Sequence, residues 1–68
     1  MISVRDAKMK ALLGGAVVYK GELYAIREVN ELKKMCLLIK LDGDHLVPDV
    51  KLSDMVAEED YDWEENKQ

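Results

Sequence analysis

Three turn signals, Lys20-Gly21, Asn30-Glu31-Leu32 and Asp42-Gly43-Asp44, cut the stretch from Gly15 to Met55 into short apolar runs. Runs this short suit β-strands, whose side chains alternate between faces and whose reversals use Gly, Asn and Asp. The predicted strands are Ala16 to Tyr19, Glu22 to Val29, Lys34 to Leu41 and His45 to Val47. Lys20-Gly21 is the first tight turn, Asn30 to Lys33 the second connection, and Asp42-Gly43 a two-residue turn into the fourth strand. Pro48 has no N–H to donate and is expected to end ladder pairing there. Val50 to Met55 then forms a brief turn and a last short strand.

Alternation assigns the faces of the third strand. Met35, Leu37, Ile39 and Leu41 share one side and are expected to point inward, with Cys36, Leu38 and Lys40 opposite. The second strand is less decided, because Tyr24 and Ile26 share a side with Glu22 and Glu28, against Leu23, Ala25, Arg27 and Val29. Both sides of the sheet therefore carry apolar groups, and an outer surface of Val17, Tyr19, Leu23 and Leu38 needs a cover. An N-terminal helix is the expected cover. Ser3 and Asp6 have capping-box spacing, Val4, Ala7, Ala11 and Leu12 recur at helical spacing, and Gly14-Gly15 supplies a left-handed stop, so the helix spans residues 4–13.

At 68 residues the chain is a single domain close to the lower limit for one apolar core. With no Phe and one Trp, that core must be aliphatic. A lone cysteine, Cys36, cannot form an internal disulfide, which favours a reducing compartment and the cytoplasm. The apolar stretch from Ala11 to Tyr19 is too short and too poorly flanked for a leader or a membrane span, so neither export nor membrane insertion is expected.

The net charge of −4 is unevenly placed. Residues 58–68 hold Glu58, Glu59, Asp60, Asp62, Glu64 and Glu65 against Lys67 alone, so this segment carries −5 and the rest of the chain +1. The domain proper is expected to occupy residues 1–57, with 58–68 a flexible, solvated acidic tail. Tyr61 and Trp63 are embedded in it. Two readings of the tail stand level: it docks on a basic, partly apolar partner, with charge speeding encounter and buried rings slowing release, or it solubilises the chain while Trp63 folds back on the domain. Rows of carboxylates that imitate nucleic-acid phosphates are a related hypothesis.

The inventory for catalysis is poor. His45 is the only histidine, Ser3 and Ser53 the only serines, and threonine is absent; Cys36 lies among apolar neighbours, where a thiol acts as a small hydrophobe. Asp42, Asp44, His45 and Asp49 match no established metal site, and Gly14-Gly15 lacks the spacing of a phosphate-binding loop. No catalytic residue, metal or cofactor is assigned, and the chain is expected to be non-enzymatic.

The stretch from Gly15 to Ile26, followed by two more hairpin strands and the closing Val47-Pro48 to Met55, resembles small SH3-like barrels in the broad group that includes KOW and Tudor domains. The resemblance implies a mainly β fold, a barrel of four to five short antiparallel strands behind the helix, that binds peptides, proteins or nucleic acid. The aromatic-lined groove of peptide-binding members is not evident, since only Tyr19 and Tyr24 are available, and no family ligand residue carries over. The expected function is an adaptor or inhibitor that binds another protein, a second copy of the chain included. Its contacts would be Tyr61, Trp63, Glu58, Glu59, Asp60 and Asp62 in the tail, with Val17, Tyr19, Leu23 and Leu38 on the barrel. The rival is a KOW- or Tudor-like nucleic-acid binder using Lys20, Arg27, Lys33, Lys34, Lys40 and Lys51. Removal of the tail separates the two: it weakens protein binding in the first case and strengthens nucleic-acid binding in the second.

Overall fold

The computed structural model describes residues 1–64. The N-terminal helix α1 runs Val4–Leu13 with both ends closed by local chemistry. Ser3 Oγ accepts from the Asp6 backbone N–H at 3.1 Å, and Gly14 adopts φ +86° so that its own N–H donates to the Lys10 carbonyl at 2.8 Å. Five antiparallel strands follow: β1 Ala16–Tyr19, β2 Glu22–Asn30, β3 Met35–Lys40, β4 Leu46–Lys51 and β5 Val56–Ala57. They form one sheet in the order β4-β3-β2-β1-β5. A 3-10 turn, Leu52–Asp54, links β4 to β5, and a second, Glu58–Asp60, follows β5. The chain is thus mainly β with one N-terminal helix.

The strand facing departs from the alternation argument. Cys36 and Leu38 point into the core, Met35, Leu37 and Ile39 lie half-buried on the opposite face, and Leu41 is exposed beyond the strand end. Hydropathy alone cannot choose, because β3 is apolar on both sides; its cross-strand partners decide. Cys36 sits between Val29 and Val50, and Leu38 between Ile26 and Val47. Two irregularities make this possible. Arg27 is an extra residue in β2, so Tyr24, Ile26 and Val29 share the inner face although their spacing breaks period two. β4 likewise spends two residues, Pro48 and Asp49, against Leu37 alone of β3, and Asp49 turns to φ +57° there.

Pro48 therefore does not end β4. The strand lies at the sheet edge and bulges at that point, where a missing N–H costs no ladder bond. The loop before it is also longer than a two-residue turn. It covers residues 41–45, with Gly43 N–H donating to the Lys40 carbonyl and Lys40 N–H to the His45 carbonyl. The last strand falls at Val56–Ala57, later than the spacing predicts, because Leu52–Asp54 forms the 3-10 turn.

The core is aliphatic. Ile2, Ala7, Val17, Tyr24, Ile26, Cys36, Leu38, Val50, Leu52 and Met55 pack together, with Val4 and Ala11 of the helix against them. Small residues on α1 let the helix lie close to β2. Leu12, placed on the buried helical face by spacing, instead points away and is 84% exposed.

Candidate interaction surface

Helix α1 seals one face of the sheet, and the other face stays partly open. The register aligns two apolar rows across it: Val56, Val18 and Leu23 in one, and Ala16, Ala25, Ile39 and Leu46 in the next. Val18 is buried, whereas Leu46 is 46% exposed and the neighbouring Leu41 is 54% exposed. At the end of these rows a shallow depression of about 320 Å³ is lined by Gly21, Leu23, Leu41, Asp42 and Trp63, among others. Trp63 is 44% exposed there and meets Tyr61 edge to face, ring centroids 4.6 Å apart. An ion pair between Glu22 and Lys40 borders the depression; the hydrogen bond that the Lys40 ammonium donates to the Glu22 carboxylate holds it above its usual range.

The sequence candidates separate accordingly. Leu23, Tyr61 and Trp63 come to this side and leave apolar surface open. Val17 and Leu38 are fully buried beneath the helix and have no surface to offer a partner, while Tyr19 packs half-buried against the core beside Tyr24. Val17 and Leu38 thus share the core with Ala7 of the helix, whereas Leu23 faces the other side of the sheet opposite Val18. Of the tail acids, Glu58, Glu59 and Asp60 form the 3-10 turn after β5, Asp62 falls between Tyr61 and Trp63 in the sequence, and Glu65 is outside the described residues. Glu59 reaches back to Lys10 on α1 at 2.9 Å, across a groove of about 430 Å³ that Met9, Leu13 and Ala57 also line. A backbone hydrogen bond, then the Lys10 ammonium, holds the Glu59 carboxyl below its usual range.

The six cations of the rival reading do not converge as a set. Lys20 sits in the β1–β2 turn with its ammonium 5.5 Å from the Tyr19 ring centroid, Lys40 is paired with Glu22, and Arg27 stands exposed at the β2 bulge. Lys33, Lys34 and Lys51 do meet, at the far end of the sheet, around a cleft of about 480 Å³.

Cys36 is buried opposite Val50, and burial pushes its thiol up from the usual range. His45 is in the exposed loop at the other end of β3, and Ser3 is engaged as the helix cap, so these groups do not meet. Among the described residues no three His, Cys, Asp or Glu side chains are grouped to hold a metal ion, and no helix is long and apolar enough to cross a membrane. Sequence reasoning missed Ile39, Leu41 and Leu46 as surface. The Ile39–Leu46 register, which continues β4 through Pro48, is the signal that exposes them. Comparison with protein-family models, with curated proteins and with solved structures finds no match to this chain.

Proposed function

We propose that the chain is a non-enzymatic protein-interaction module, an adaptor or inhibitor, built on a small SH3-like barrel. The observation that carries this reading is the depression that Leu23, Leu41 and Trp63 line on the helix-free side of the sheet, with Glu22 and Asp42 beside them and Leu46 exposed on the edge strand next to Ile39. Exposed aliphatic and aromatic groups framed by charge are what a partner buries when it docks, the rings supplying most of the binding energy and the acids the encounter rate. Strand order supports the barrel part of the reading, because β5 returns to β1 after the 3-10 turn and brings the last strand beside the first. A single buried thiol fits a reducing compartment such as the cytoplasm.

The test is capture from nuclease-treated host lysate with the full chain and with variants bearing Leu41→Glu and Leu46→Glu, or Trp63→Ala. A protein retained by the parent and lost by both variants supports the module. Retention by both variants overturns it, and capture of nucleic acid that needs Lys33, Lys34 and Lys51 would install the KOW- or Tudor-like reading instead.

A further inference from the structure

The cleft around Lys33, Lys34 and Lys51 differs from the other depressions in its charge. Three cations line it and no carboxylate does, whereas three other depressions of the described residues each include at least one acidic side chain. None of the three lysines is ion-paired among the described residues, although Lys8, Lys10 and Lys40 all are. The cleft is also built rather than incidental. Ile2 N–H donates to the Leu52 carbonyl at 3.4 Å and Leu52 N–H to the Lys34 carbonyl at 3.0 Å, so its three walls are tied together. Its apolar lining comes from Met1, Ile2, Val4, Met35 and Leu52, and its volume of about 480 Å³ suits a large side chain. An occupant needs a bulky apolar group flanked by several negative charges.

The chain carries such a segment at its opposite end. Tyr61 and Trp63 stand among Glu58, Glu59, Asp60, Asp62 and Glu64, and Trp63 lies near the start of β2 while the cleft lies beyond its end, about 30 Å away at the rise of a strand. We propose that the cleft receives the acidic aromatic segment 58–64 of a second copy, so that copies join head to tail. This rests on reading that segment as a docking element. Such a contact is heterologous: each copy uses a different end, and growth continues until a ring closes or the chain of copies stays open.

Full-length variants of the two ends test it. One carries Lys33→Glu, Lys34→Glu and Lys51→Glu, and the other Asp60→Asn, Trp63→Ala and Glu64→Gln, all at exposed positions. In sedimentation velocity the parent should associate with rising concentration, more than about tenfold more weakly when ionic strength rises from about 0.05 M to about 0.5 M. Each variant alone should stay monomeric. Their equimolar mixture should form a dimer and nothing larger, since one retains only the acidic segment and the other only the cleft. In parallel, a peptide of residues 57–68 should shift the Met35 and Leu52 resonances of the parent and not those of the lysine variant. A monomeric mixture of folded variants overturns the proposal, as does parent-like association by either alone. Binding of a single-stranded oligonucleotide by the acidic-end variant, with the mixture monomeric, also overturns it and gives the cleft to nucleic acid. A mixture that dimerises while host-protein capture ignores Trp63→Ala sustains the head-to-tail contact and removes the adaptor reading; the converse pattern does the reverse.

Discussion

Leu38 and Ile39 are neighbours in β3 with similar side chains, yet one is fully buried under α1 and the other half-open on the far face. The inner face is closed by a helix whose small residues, Ala7 and Ala11, allow close approach, and by bulges that turn Val29 and Val50 inward. The outer face has no such lid. Its apolar rows are covered only in part, and that incomplete cover is where binding surface remains. One strand therefore divides its apolar residues between stability and recognition, and the division is set by what lies above each face rather than by hydropathy.

The largest expected effect breaks that comparison directly. Leu38→Ala should cost about 2–5 kcal/mol, because it removes a fully enclosed side chain and leaves a cavity. A domain of this size has about 3–10 kcal/mol in total, so the variant will be marginal. Ile39→Ala should cost clearly less, since its site is already half in water. Chemical denaturation of the pair measures the difference. Equal losses, or the reverse order, would mean that the sheet faces the other way.

The second effect acts on the lid. Ser3→Ala removes the oxygen that accepts from Asp6 N–H and should cost about 1 kcal/mol, read as an earlier denaturation midpoint. Because α1 covers only the inner face, amide exchange should quicken in the helix and leave the Ile39–Leu46 pairing protected. Uniform loosening of both faces would show that the helix supports the whole sheet.

These contrasts also mark what was legible in the residues. The helix, its Ser3 cap, the Gly14 stop and the Lys20-Gly21 reversal could be read because each depends on neighbours a few positions away. The facing of β3 could not. It depends on Arg27 and Asp49, which interrupt period two in the flanking strands, and nothing local identifies either as an extra residue. Pro48 misled for a related reason: proline stops a central ladder but is tolerated in an edge strand, and edge position is a property of the whole sheet. Of the candidate site, Trp63 and Leu23 were visible as apolar groups in need of cover, while Leu41 was placed inward by the same inverted facing and Leu46 was assigned no face.

A third change sharpens the recognition side. Leu46→Lys, on the exposed edge strand, should alter stability by no more than about 0.5 kcal/mol. It should nevertheless remove partner capture, because a charge would enter the apolar row. A large loss of stability with Leu46→Lys would place Leu46 in the core and erase the distinction between the faces.

The smallest effect concerns the join between the helix and the segment after β5. Its backbone hydrogen bond and the Lys10 ammonium depress the folded carboxyl of Glu59, so the Lys10–Glu59 contact is fully present above the ordinary Glu range. Its contribution to stability declines as pH falls below that range and is lost as pH passes the depressed folded value, where the carboxyl in the folded chain is protonated. Glu59 is exposed, so solvent screens the contact and global stability should hardly move. The sensitive readout is local: the Lys10 and Glu59 side-chain resonances should titrate together on acidification, at a pH below the ordinary Glu range. In Glu59→Gln the Lys10 transition should vanish while the core resonances keep their positions. A Glu59 transition at the ordinary Glu value would show that the carboxyl is not held by these groups.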